Sequence, residues 1–216
     1  VRNAKYSTLT SWDWVFLLYA TADATGKGKK MISVDIDFWY HDSGLNVIPI
    51  HFKRKHCMVT WKEWQNKPVP EELYDKWKKN EFKNNNCAVI TGKIHRGPHK
   101  GKYFICIDID NKTGIEWFLA YFEEIKSLEE LGHKTVVVQH EDTKGERAHI
   151  YFITSSPLVK RSGIRCVDRE RKVPAIEVKS DSSTYAVCPP STHQSGYKYQ
   201  ILGTREIQVL SEEKTK

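Results

Sequence analysis

The chain has 216 residues, a formal net charge of +7, 39% hydrophobic residues and 12% aromatic ones, with seven Trp and ten Tyr. This suffices for one substantial domain or two small lobes, and positive charge beside many flat rings leans toward a polyanionic partner. Five scattered Cys without C-x-x-C spacing argue against a disulfide framework and for reduced thiols, and the apolar run WVFLLYA at 14–20 is far short of the about 20 residues of a membrane span, so a cytoplasmic protein with no membrane association is expected.

ATADATGKGKK (20–30) reads as a linker, which makes 1–30 an N-terminal extension, 31–210 the globular unit and 211–216 a polar tail. A first residue of Val and polar ends suggest a piece of a longer protein. SVDID (33–37) is set aside as a site, because FWYHDSG after it continues as a helix, where i and i+2 face apart. GLNVIPIHF (44–52) reads as a strand, PVPEELYDKWKKNEF (68–82) as a helix opened by Pro70 and acidic Glu71 and Glu72, and NNNCAVITG (84–92) as turn and strand. After the strand KYFICIDID (102–110), TGIEWFLAYFEEIKSLEEL (113–131) predicts one long helix, with a Thr113–Glu116 capping box and apolar residues at 115, 118, 119, 122 and 125. Then come strands in KTVVVQ (134–139), RAHIYFIT (147–154), AIEVKS (175–180), TYAVCPPS (184–191) and YKYQIL (197–202), interrupted by a polar turn at 140–146 and a basic segment at 157–173. The class is α/β or α+β, with no internal repeat.

Two acids do not belong in such strands. Asp108 and Asp110 lie near the end of the apolar YFICIDIDN, where an unpaired buried carboxylate costs several kcal/mol. Strand residues i and i+2 share a face, about 6.5–7 Å apart, so the two can converge on one centre. Glu177 is the same anomaly inside AIEVKS, and His149 and Arg147 lie on one face of RAHIYFIT by parity. Such oxygen donors suit Mg²⁺ or Mn²⁺, and two ions about 3.5–4 Å apart serve displacement at phosphorus. Three acids, a histidine and nearby cations fit a metal-bound triphosphate. Zinc is disfavoured, since His56, Cys57 and Cys166 offer no four-ligand spacing. There is no G-x-S-x-G elbow and no P-loop or dinucleotide glycine pattern. KRKH (53–56) and KWKK (76–79) read as solvated faces unless they border the cleft, and Trp61 and Trp64 as core packing rather than base stacking.

With these residues in place, the chain resembles the primase-polymerase domain of the archaeo-eukaryotic primase superfamily, in the bifunctional group of plasmids, viruses and mobile elements. The pieces GLNVIPIHFKRK…VTWKEWQ, NCAVITG, ICIDIDN, RAHIYF and IEVKSDSSTYAVCPPSTHQSGYKY carry the likeness in order over about residues 31 to 205. The resemblance implies an N-terminal α/β lobe joined to an RRM-like catalytic lobe with a mostly antiparallel sheet. It implies a DNA primase/polymerase that uses two Mg²⁺ or Mn²⁺ ions, nucleoside triphosphates and a single-stranded DNA template with primer, with a helicase or accessory helical domain in the full-length protein. Asp108, Asp110 and Glu177 would be the metal ligands and catalytic acids; His149, Arg147, Lys179, Ser191 and His193 would contact the nucleotide. For Lys179 a structural ion pair is the alternative, and for Ser191 and His193 a Pro-fixed surface turn. The chain departs from the family in having Glu177 where Asp is common, Arg147 where a small residue is usual, and no zinc-binding insertion. The rival reading is a non-catalytic primase-like initiator domain that binds nucleic acid, and a nuclease using the same acids is a third.

Overall fold

The computed structural model describes residues 31–32, 34–120, 124–139, 147–158, 167–168, 173–174 and 176–210. The N-terminal extension, most of the basic segment with Cys166, the turn at 140–146 and the tail lie outside the described residues. In chain order the elements are β1 (Met31–Ile32), a π-helical turn (Phe38–Asp42), β2 (Val47–Ile50), a 3-10 turn (Lys62–Gln65), α1 (Glu71–Asn80), β3 (Asn86–Ile90), β4 (Gly92–Lys93) and β5 (Tyr103–Ile109). They continue with α2 (Lys112–Leu119), α3 (Leu128–Gly132), β6 (Val137–Gln139), β7 (Ala148–Thr154), β8 (Val167–Asp168), β9 (Val173–Pro174), β10 (Ile176–Lys179), β11 (Tyr185–Cys188), β12 (Gln200–Leu202) and β13 (Gln208–Leu210). None of the described helices is long and apolar enough to cross a membrane.

A large sheet runs β1-β12-β6-β7-β5-β10, with β4 beside β5 and β13 beside β7; only the β13–β7 pairing is parallel. A smaller antiparallel sheet runs β11-β3-β2. The architecture is therefore mixed α/β with mostly antiparallel sheets.

The apolar runs of β5 and β7 follow from burial on both faces. Ile105, Ile107 and Ile109 of β5 and Ile150 and Phe152 of β7 join Ile115 and Phe118 of α2 and Leu128 and Leu131 of α3 in one core. Alternate residues, Phe104 and Cys106 on β5 and Tyr151 and Ile153 on β7, join Val47, Ile48, Val89, Ala186 and the α1 rings Tyr74 and Trp77 in another. Period-two alternation thus sorts every second side chain toward the helices and the rest toward the second core. Asp108 has the parity of Cys106, which places it on the face away from α2 and α3.

The predicted single helix over 113–131 is two helices, and neither is capped by Thr113. The side chain of Asn111 accepts from the Gly114 N–H at 2.8 Å and starts α2. Ser127 accepts from the Glu130 N–H at 3.2 Å and starts α3, while the Glu130 carboxylate accepts from the Lys126 N–H at 2.6 Å. S-x-x-E is a helix-start signature, and here it stands in the middle of an otherwise continuous apolar period. The helix at Pro70 forms as expected, with Glu71 and Glu72 in its first turn and Lys78 and Lys79 in its last, matching the helix dipole. Asp37 follows the helical reading too: it accepts from the Tyr74 hydroxyl at 2.6 Å and pairs with Lys78 of α1. Trp64 is buried in the core and Trp61 packs against it.

Candidate active site

Register builds the site. Asp108 on β5 is the direct partner of His149 on β7 and of Glu177 on β10, so three strands present these side chains in one row. Directly opposed residues have Cβ atoms about 4.5–5.5 Å apart, within reach of one another. His149 Nε2 lies 3.3 Å from Asp108 Oδ1. Lys179, two residues after Glu177 and on the same face, reaches back so that its ammonium pairs with Asp108 Oδ2 and lies 3.2 Å from Glu177 Oε2. Both His149 and Asp108 are buried, whereas the Glu177 side chain is 39% exposed at the sheet edge.

The charges are unevenly compensated. Burial by itself would raise Asp108, but His149 and Lys179 outweigh it and hold that carboxyl well below the usual carboxylate range. Asp110, at the C-terminal end of β5, is raised by burial and by the charge of Asp108; Lys55, Arg147 and Lys179 only partly offset this. Burial opposes the charged form of Lys179, yet Asp108 more than restores it, and the ammonium is held above its ordinary value.

Further out, a chain of rings connects the row to a second group. Tyr199 is buried with its ring 5.7 Å from that of His149 and 6.0 Å from that of His193. His193 Nδ1 is 2.6 Å from Ser195 Oγ. Ser191 is committed to the fold: its hydroxyl accepts from the Cys87 N–H at 2.9 Å and donates to the Cys87 carbonyl at 3.0 Å. It anchors the turn that carries His193 rather than facing the acids. Of the basic run at 53–56, Lys53, Arg54 and Lys55 line a small pocket together with His193 and Tyr199. Loop charge alone gave no position for that run, because its approach depends on how β2 pairs with β3.

The family described as "Bifunctional DNA primase/polymerase, N-terminal" matches residues 37–213. The chain belongs to that family. No curated protein matches it. Membership implies DNA primase/polymerase activity, with DNA and nucleotides as substrates, and enzymes of this family generally use divalent metals.

The donor chemistry can be tested against such ions directly. Among the described residues, no three His, Cys, Asp or Glu side chains are gathered so as to hold a metal. The Lys179 ammonium stands between the carboxylates of Asp108 and Glu177. Hard oxygen donors with a cation already accepted between two of them are of the chemical type that suits a divalent ion.

Proposed function

We propose that this domain performs template-directed nucleotidyl transfer, extending a DNA primer from nucleoside triphosphates during replication of a plasmid, virus or mobile element. The observation that carries the reading is the cross-strand row Glu177–Asp108–His149, joined by Lys179 on its own face. The order of β10-β5-β7-β6, antiparallel throughout and interrupted by α2 and α3 between its first and second strands in chain order, supports an RRM-like catalytic lobe beside an N-terminal α/β lobe.

Asp108, Asp110 and Glu177 would hold two Mg²⁺ or Mn²⁺ ions, which when bound supply charge stabilisation at the attacking 3′-hydroxyl and the departing pyrophosphate. The chain's own residues do the rest. Lys179, released from Asp108, turns its ammonium toward the triphosphate, and His149 and Arg147 donate to phosphate oxygens from the same face. His193, held by the turn that Ser191 anchors, adds a donor on the far side of Tyr199. Positioning and fixed charge account for most of the rate, and no covalent protein intermediate is required.

The test is labelled-nucleotide incorporation on single-stranded DNA with Mg²⁺ or Mn²⁺, with and without an annealed primer, beside an Asp108→Ala/Asp110→Ala variant. Products from the wild type that vanish in the variant support the reading, and products without primer add priming. DNA binding with no product from either protein replaces it with a non-catalytic binding domain; a cut template without nucleotides replaces it with a nuclease.

A further inference from the structure

Residues of the loop 51–56 and of the turn 192–198 line one small pocket beside Tyr199, and each segment exposes an aromatic ring next to that lining. Phe52 is 50% exposed and Tyr197 is 40% exposed; with Val209 they are the exposed large hydrophobic residues among those described. Phe52 stands at the second position of a turn closed by the Arg54 N–H donating to the His51 carbonyl at 2.9 Å. The third position is Lys53 at φ 55°, the non-glycine residue with positive φ among the described residues. That position ordinarily takes Gly or Asn, and the Lys53 ammonium here lies 5.5 Å from the centre of the neighbouring Phe52 ring. In the other segment, the Tyr197 carbonyl accepts from the His193 N–H at 2.7 Å, and Thr192 bridges Lys198, so a tight hairpin turn pushes the Tyr197 ring outward. Lys53, Arg54 and Lys55 make this opening cationic, and Lys55 is near enough to the acids to act on Asp110.

We infer that the surface formed by these two segments is the seat of the single-stranded template, with Phe52 and Tyr197, exposed on either side of the pocket, stacking bases and Lys53, Arg54 and Lys55 tracking the phosphates. The inference rests on the nucleotidyl-transfer reading for the word template, while the binding surface stands on its own. Exposed rings interleaved with cations are the composition of single-strand grooves, where the ring accepts any base by its face and the cations follow the backbone. A triphosphate alone would satisfy the cations and leave both rings in water. Tyr199, which lines the pocket between the two segments, has its ring 5.7 Å from that of His149, so a strand seated there lies beside the catalytic row.

The experiment measures anisotropy of a fluorescent oligothymidylate against protein concentration at several salt concentrations. Phe52→Ala and Tyr197→Ala are each expected to weaken binding by about 5- to 150-fold with little change in salt dependence. Lys53→Ala/Arg54→Ala/Lys55→Ala is expected to flatten the slope of log K against log salt by about 2, the value for three phosphate contacts on a single strand. Phe52→Trp and Tyr197→Phe keep a stacking face and should bind as the wild type does. Asp108→Ala/Asp110→Ala should bind at least as well as the wild type while making no product, which separates this surface from the chemistry. Photo-crosslinking of a 5-bromodeoxyuridine strand to the unaltered protein should yield adducts on the peptides holding Phe52 or Tyr197, whatever the stability of the variants. Undiminished binding by all loop variants, crosslinks confined to other peptides, or loss of nucleotide binding with DNA binding intact would each overturn the assignment. Absence of wild-type extension with loop-dependent DNA binding would sink the polymerase reading and leave this surface standing.

Discussion

Lys179 holds together two carboxylates that would otherwise repel, and its removal has different consequences with and without divalent ions. Its side chain is 15% exposed and that of Asp108 is 7% exposed, so the pair is largely shielded from water. Removing one partner of a buried pair costs about 3–5 kcal/mol; because His149 remains beside Asp108, Lys179→Met is expected to cost less, about 2 kcal/mol. In chelator this should lower the melting temperature by about 4–8 °C. Mn²⁺ should raise the variant's melting temperature by more than it raises the wild type's, since the ion takes over the compensation. Equal increments in the two proteins would show that the ammonium and the ion do not share a place. Asp110 makes the opposite case. Burial and the charge of Asp108 raise its carboxyl in the folded protein, so it holds a proton more tightly there than in the unfolded chain. Stability therefore falls as pH rises from the unfolded value of 3.8 through the folded one. Asp110→Asn in chelator should melt above the wild type at pH 7, with the gain shrinking as pH approaches 3.8, while primer extension falls to background. A variant less stable than wild type at neutral pH would assign the carboxylate a structural role.

Among elements, the junction of α3 with β12 depends on two glycines. Gly203 follows β12 at φ +87°, and a Cβ built on it would stand 2.1 Å from the Gly132 carbonyl oxygen at the end of α3. That neighbour is backbone, and it also accepts from the Thr204 N–H at 2.7 Å, so it has little freedom to retreat. Gly203→Ala should destabilise the fold by about 2–4 kcal/mol, combining positive-φ strain with overpacking, as read from the urea midpoint at unchanged m-value. An effect below about 0.5 kcal/mol, the range of an ordinary surface substitution, would mean the contact is loose. This junction also marks where sequence reading stops. Asp108, Glu177 and His149, which the strand register brings into one row, stand out in the sequence because polar groups inside apolar runs conflict with burial, and such a conflict shows without knowledge of the partner strand. The long helix was misread because apolar spacing through residues 115–125 suits one helix, while the decisive signal was a local hydrogen bond at Ser127. β4 and β13 carry no period of their own, being two and three residues long and formed by pairing with β5 and β7. The approach of Lys53, Arg54 and Lys55 to His193 and Tyr199 was likewise invisible, because it is made by tertiary pairing and not by spacing.

Across the whole molecule, Asp108 stands on an enclosed strand and Glu177 on the edge strand beside it, while the proposed template contacts lie on exposed turns. β5 is flanked by β7 and β10, its apolar side chains are buried on both faces, and Asp108 is carried within that frame. A carboxylate that must align a reaction gains from such rigidity, because small displacements of a positioned group are costly to rate. The turn at 51–56 is exposed throughout, as are residues 194–198, and turns of this kind open at low free energy. Native-state hydrogen exchange should therefore divide the protein in two. Amides of Ile105–Ile107 and Ile150–Phe152 should exchange only through global unfolding, with a denaturant dependence equal to the equilibrium m-value. Amides at 52–55 and 194–198 should exchange rapidly with none. Adding a short oligothymidylate should slow the second set while leaving the first unchanged, because a strand seated between the two turns orders them without altering the sheet. Slowing of the core amides alone would instead mean that DNA acts by raising global stability from some other surface. Equal exchange in both sets before any DNA is added would overturn the division of labour between a rigid row of acids and adaptable turns.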